Sequence, residues 1–194
     1  MTDRQIEILE ASVKLAAKNG VRAMTIKNIA SEIGLTEAAL YRHFQSKREI
    51  LLGIIQLFSL SSQNDFKAIS MKNPSALSEL KKLILRRIEQ FEHFPEIAYI
   101  MLSLDIFMQD EELRVSAAES IHKHKEFILS LILKGQEKNE IRSDSEPKEL
   151  FRIVLGSFRL LLTQWFLNKY QFSLKDEFES LWKTLETVLK NNSL

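Results

Sequence analysis

The sequence contains no cysteine. No disulfide can staple the fold, and no thiolate can serve as nucleophile or metal ligand. Glycine and proline are scarce, at 5 and 3 of 194 residues. That scarcity argues against a turn-rich β architecture and leaves long stretches open to helix. An excess of charge of one sign is missing too. Residues 1–50 hold 8 basic and 6 acidic side chains, and the rest hold 19 and 20. This asymmetry is compatible with a nucleic-acid partner but does not argue for one. No apolar run approaches the length of a membrane span: residues 97–102 and 158–162 contain or meet polar residues within a few positions. The N-terminal stretch carries Asp3, Glu7 and Glu10 and has no apolar core of signal-peptide length. The expected setting is the cytoplasm, with no membrane partner.

Chemistry-bearing constellations are also lacking. There is no Ser/His/Asp arrangement and no Gly-rich phosphate loop, so no enzyme and no cofactor are expected. The four histidines do not make a metal site. His122 and His124 would point to different faces of one helix, and no third ligand is evident.

What is present is helical spacing of apolar residues. Ile6, Leu9, Val13 and Ala16 predict a first helix from about Asp3 to Asn19, stopped by Gly20 in a left-handed conformation. Two short helices follow, near 26–33 and 37–43, and a long one opens at Ser46 or Lys47. All three prolines fall where a helix can begin: Pro74 after the capping residue Asn73, Pro95, and Pro147. The segment from Pro95 to about Met108 is apolar nearly all round and is expected to be one buried helix. Another is expected over about 110–139, and the last two begin at Pro147 and near Leu174. No strand is expected. The loops are placed at 70–73 and 140–146. The expected fold is therefore all-α, with about nine helices. It comprises an N-terminal three-helix unit over 1–47 and a C-terminal helical bundle over 48–194.

The most informative stretch is 25–44. Thr25 and Thr36 can each cap a short helix. Ile26, Ile29 and Ile33 form an inward stripe, Ala30 is small where two helices must cross, and Gly34 sits where a positive φ is expected. Leu35, Leu40 and Phe44 close the core from the second helix. Thr36, Glu37, Ala39, Arg42 and His43 remain outward. A short helix with that face suits the major groove of DNA, although helix-turn-helix hairpins also serve as plain packing units.

Four features make this segment resemble the DNA-binding domain of the TetR family: the preceding helix, Thr25-Ile-Lys-Asn-Ile-Ala30, Leu40-Tyr-Arg-His-Phe44, and Ser46-Lys47 opening the next helix. The resemblance covers roughly the first 55 residues. It implies a sequence-specific DNA-binding transcriptional regulator. Thr25 and Lys27 would contact phosphate, as would Tyr41, His43 and Lys47. Thr36, Glu37, Ala38 and Arg42 would face bases, with Arg42 reading guanine or holding a phosphate. For Tyr41, packing within the small domain is an equal alternative. Ala39 stands where relatives often carry Ser or Thr. Glu37 either accepts from a cytosine amine or simply suits a helix N-terminus.

The resemblance also implies a homodimer on a palindromic operator and a small-molecule pocket in the C-terminal part. The last two helices carry more apolar surface than one core needs, and Ser157, Leu160, Leu161, Trp182 and Leu185 are the expected dimer interface. Gly156 would permit close approach there. For a pocket, the candidates are Phe58, Phe91, Met101, Asp105, Met108, His122, Phe127, Arg159, Gln164 and Trp165, suiting an apolar or amphipathic ligand. For each apolar one, ordinary core packing is the better reading. The main expectation is a ligand-responsive repressor. The alternatives are a TetR-like protein without a small-molecule switch, organising the chromosome or controlled by a partner protein, and an activator.

Overall fold

The computed structural model describes residues 1–70, 75–103, 105–108 and 110–191, and the side chains of Ser70 and Met101 lie outside the described residues. The helix start expected at Asn73–Pro74 also falls outside them, as does the loop expected over 70–73 apart from Ser70, which ends a helix. Among the described residues there is no strand, and Ile141 and Lys190 form an isolated antiparallel bridge. The described residues form ten α-helices: α1 Asp3–Asn19, α2 Ile26–Glu32, α3 Glu37–Tyr41, α4 Lys47–Ser70, α5 Ala76–His93, α6 Glu96–Leu102, α7 Asp105–Met108, α8 Glu111–Glu137, α9 Pro147–Leu167 and α10 Leu174–Leu189.

The helix count exceeds the expected nine because the segment after Pro95 is not one helix. Ser103 leaves helical backbone at φ −87° and ψ 69°, ending α6, and α7 restarts at Asp105. No glycine or proline marks this break. Serine, whose hydroxyl competes for backbone hydrogen bonds, is the weak signal that was there. α1 has the expected bounds. At its start a capping box forms: Gln5 N donates to Thr2 Oγ1 (3.3 Å) and Thr2 N donates to Gln5 Oε1 (2.9 Å). Gly20 does take a positive φ of 80°, but with ψ 160° it extends the chain rather than making the left-handed cap expected.

The chain divides into two compact units, and the division passes through α4 and α8. The first comprises Met1–Ser61 and Phe94–Ser120. Its core joins Ile8, Leu9, Ala16, Met24, Ile29, Leu40 and Ile50, all essentially inaccessible, with Ile100, Ile106 and Leu113 from the later helices. Each of these leucine, isoleucine and methionine side chains stabilises the fold by about 1.5–3 kcal/mol through its removal from water.

The second unit comprises Ser62–His93 and Ile121–Leu194. An aromatic chain runs through it: Phe91 of α5, Phe158 of α9, then Phe178 and Trp182 of α10, with successive centroids 6.4, 6.1 and 5.9 Å apart. The end of α8 is fixed by Gly135. A Cβ there would lie 2.5 Å from Ile141 Cδ1 and 3.0 Å from Ala76 Cβ. Ile141 is fully buried, so it cannot swing away. We expect Gly135→Ala to lower unfolding stability by about 1–3 kcal/mol through overpacking. Urea unfolding checks this, and an unchanged midpoint would refute the close approach.

Candidate nucleic-acid interface

The two short helices α2 and α3 are set by local chemistry. Thr25 Oγ1 accepts from Asn28 N (3.2 Å) and Thr36 Oγ1 accepts from Ala39 N (3.1 Å), which begins each helix at the expected residue. A threonine hydroxyl that accepts from the backbone still has its own proton to donate, so both caps keep a donor for phosphate. Both residues are exposed.

Gly34 ends α2. Its φ is 66°, its N–H reaches Ser31 O (3.3 Å), and Leu35 N reaches Ala30 O (2.8 Å). This pair of bonds is the Schellman closure, and it needs a residue that tolerates positive φ. Leu35 then turns into the core while the chain enters α3. Leu40 is fully buried and Phe44 nearly so, and together they fix which side of α3 faces out.

That outer side carries Thr36, Glu37, Ala38, Tyr41 and Arg42, all exposed. Tyr41 shows 48% of its surface, so it is not spent on packing within the small domain. His43 is half-buried, and its carbonyl accepts from Gln5 Nε2 (3.4 Å), a tie from α1 to the end of α3. Ala39, expected outward, is half-buried. Lys27 and Arg22 are exposed as well.

Lys47 also has a partner within the protein. Its Nζ donates to Val21 O at 2.7 Å, pinning the start of α4 to the turn Val21–Ala23. Partial burial pushes its pKa below the ordinary lysine value. An ammonium has two further protons, so this bond does not exclude a phosphate, but the side chain also has a structural task. Lys47→Met should therefore lower the melting stability of the free protein by about 1 kcal/mol before any DNA is added. A pure phosphate ligand would leave the DNA-free melting curve unmoved. Next to it, Arg48 is held by Asp110 (2.7 Å) and, more loosely, Glu112 (3.7 Å).

The ten residues expected at a pocket fall in both units. Phe58, Met101, Asp105 and Met108 belong to the first, and Phe91, His122, Phe127, Arg159, Gln164 and Trp165 to the second. Asp105, expected inside a buried helix, is exposed because α7 begins there, and Met108 is 66% exposed. His122, Arg159 and Gln164 are exposed as well. Phe91 and Trp165 are buried, with Trp165 Nε1 donating to Phe172 O (2.9 Å), whereas Phe58 and Phe127 are half-buried.

The polar residues that do gather inside the second unit are others: Ser62, Asp65, Arg87, Gln90 and His124. Arg87 Nη2 donates to Ser62 Oγ (2.5 Å) and lies 3.4 Å from His124 Nε2, while Nη1 donates to Gln90 Oε1 (2.7 Å). Gln90 Nε2 donates to Asp65 Oδ2 (3.2 Å), and Arg86 Nη1 approaches Asp65 Oδ1 (3.3 Å). Burial depresses the Arg87 pKa to about 10, against a smaller upward pull from Asp65. Register carried the missed signal. Arg87 stands three residues after Ile84 and four before Phe91, on the apolar face of α5. His124 is four residues after the buried Ser120, on the inward face of α8, while His122 is not.

Of the expected dimer residues, Leu161, Trp182 and Leu185 are turned into the second unit's own core. Spacing alone does not say which face an apolar residue takes. Ser157 is half-buried, bonding Ile153 O, and Leu160 is 61% exposed. Ile153 and Leu167 share that exposure, at 41% and 70%. A Cβ on Gly156 would meet nothing within 4 Å. On length and composition α9 is apolar enough to cross a membrane, with a window of mean hydropathy 1.4, although no such run was expected. Leu150, Val154, Phe158, Leu161, Leu162 and Trp165 nevertheless use one face of it to build the core.

Comparison with known proteins bears on both parts of the chain. Residues 8–54 match the family described as bacterial regulatory proteins, tetR family, and residues 62–187 match the C-terminal region of YsiA-like proteins. The nucleoid occlusion factor SlmA of Vibrio vulnificus is 25% identical over 191 residues, 97% of each chain. Among solved structures, the MbdR regulator from Azoarcus sp. CIB is 27% identical, with a TM-score of 0.80 over 97% of each chain. The regulator FadR from Bacillus subtilis, in complex with stearoyl-CoA, has a TM-score of 0.78 at 19% identity over 94% of this chain and 98% of that one.

Proposed function

The chain belongs to the tetR family of bacterial regulatory proteins and is a DNA-binding transcriptional regulator, and we propose that it acts in the cytoplasm as a homodimeric, ligand-responsive repressor. The observation that carries this reading is the outer face of α3, where Thr36, Glu37, Ala38, Tyr41 and Arg42 are all exposed on a helix whose other side is locked by Leu40. A dimer would present two such helices to a near-palindromic operator with half-sites about 34 Å apart, one turn of DNA. Residues 1–47 then serve as the reading head, and 48–194 serve for dimerisation and ligand binding. The α9 strip Ile153, Gly156, Leu160 and Leu167 is the surface we assign to the second copy. An apolar or amphipathic ligand would favour a state in which the two heads are mis-spaced, to an extent set by its differential affinity for the two states. The FadR structure with stearoyl-CoA supports such a ligand by analogy of fold.

Selection of bound fragments from random DNA tests the reading. The expected product is a near-palindrome with a fixed half-site spacing. Recovery of unrelated sequences, all bound with a steep salt dependence, would sink it. A second reading, DNA binding in the service of chromosome organisation, is favoured by the full-length similarity to SlmA. It predicts many occupied sites scattered through the genome, rather than a few beside promoters.

A further inference from the structure

The polar cluster around Arg87 lies at the meeting of the C-terminal half of α4, the middle of α5 and α8. Arg86 and Arg87 bring two positive charges to the single negative charge of Asp65. Arg87 is 8% exposed, and its hydrogen bonds include the neutral partners Ser62 and Gln90. Taking a guanidinium out of water is costly unless its surroundings compensate. Here its pKa is drawn down to about 10, so burial outweighs the compensation that Asp65 gives. A negatively charged group brought against Arg87 would restore what burial removed.

An apolar wall stands beside it. Phe66 and Phe127 stack at 4.1 Å with planes 16° apart, and His124 meets Phe66 edge-on at 5.2 Å. Phe66, Gln90, His124 and Phe127 are each half-buried, so the cluster lies one side-chain layer beneath the surface. The planar, forked donors of a guanidinium match the two oxygens of a carboxylate.

The geometry points to Arg87 as the recognition residue for a monocarboxylate with an apolar body, its oxygens taken by Arg87 with Ser62 and Gln90 and its body laid against Phe66 and Phe127. This deepens, and rests on, the ligand-responsive reading above.

Titration calorimetry of the full chain without DNA tests the site, using decanoate against decanamide and 2-naphthoate against 2-naphthamide. At least one acid should bind about tenfold or more tightly than its amide, the discrimination a charge-assisted hydrogen bond supplies over a neutral one. Arg87→Met, which keeps the apolar stem and deletes the charge, should bind acid and amide alike. Should that variant fold poorly, Ser62→Ala should still weaken the acid more than the amide. Equal binding of acid and amide by the unaltered protein, no binding of either, or discrimination that survives in Arg87→Met would each overturn the assignment. Operator binding, measured separately, keeps the two readings apart. An acid that binds at Arg87 without releasing DNA upholds the site and refutes the switch, whereas intact operator binding with no carboxylate bound refutes the site alone.

Discussion

Leu160→Glu should convert the protein from dimer to monomer and lower its operator affinity by about a hundredfold or more. Leu160 is 61% exposed and lies between Ile153 and Leu167 at seven-residue spacing, two turns of α9 in each direction. Gly156 falls between Ile153 and Leu160 with open space where a Cβ would stand, so a second helix could approach closely there. A carboxylate in the middle of such a contact would be desolvated without a partner, a penalty of several kcal/mol felt once in each subunit. Losing the second reading head removes an effective-concentration advantage of about 10²–10⁴. Native mass spectrometry and a DNA titration read the two effects. The control is Leu161→Glu one residue on. Leu161 faces the core at 8% exposure, so its substitution should unfold the second unit instead of merely separating subunits. A Leu160→Glu protein that remained dimeric at micromolar concentration would remove the α9 strip from the interface.

That contrast between neighbouring leucines shows where sequence reasoning stops. Spacing at three and four marks apolar positions on α9 and α10, but a helix apolar over much of its circumference offers no mark of which side its own core takes. Leu161, Trp182 and Leu185 are inward, and Leu160 is outward. Caps were far more legible, because they act through bonds to the next turn of the same helix. Thr25, Thr36 and Pro147 all begin helices in the structure. Gly34 was legible for the same reason, since a positive φ between α2 and α3 leaves few alternatives. The break at Ser103 was not, because nothing local forces it.

The polar candidates of the C-terminal part show a different limit. Residue type alone points to His122, yet the inward register of α8 runs through Ser120, His124 and Ile128. Aligning the helix to its buried residues, rather than counting polar types, singles out the inward histidine. Residue type gives Arg87 no mark, because arginine is usually solvated. Only its place between Ile84 and Phe91 betrays a burial that a bond to Ser62 of a distant segment makes tolerable.

Arg42→Ala should cost operator affinity between about fivefold and 150-fold and flatten the preference at one base pair per half-site, the loss of a bidentate contact of about 1–3 kcal/mol. Arg42 caps the C-terminal end of α3 with helical φ and ψ of −70° and −21°, and its side chain is exposed. Its backbone N–H is engaged by Ala39 O (3.3 Å), so the substitution leaves the helix end intact and stability should barely move. Tyr41→Phe supplies the comparison. It deletes one hydroxyl from a residue that is 48% exposed, and it should weaken binding to every sequence by a smaller, uniform factor. The two variants separate base reading from backbone anchoring on adjacent residues of one helix. Competition binding against a panel of single-base operator variants reads the difference. If Arg42→Ala lowered affinity equally for every operator in the panel, and reduced the salt slope by about one, Arg42 would be a phosphate ligand and the bases would be read by Thr36, Glu37 and Ala38 alone.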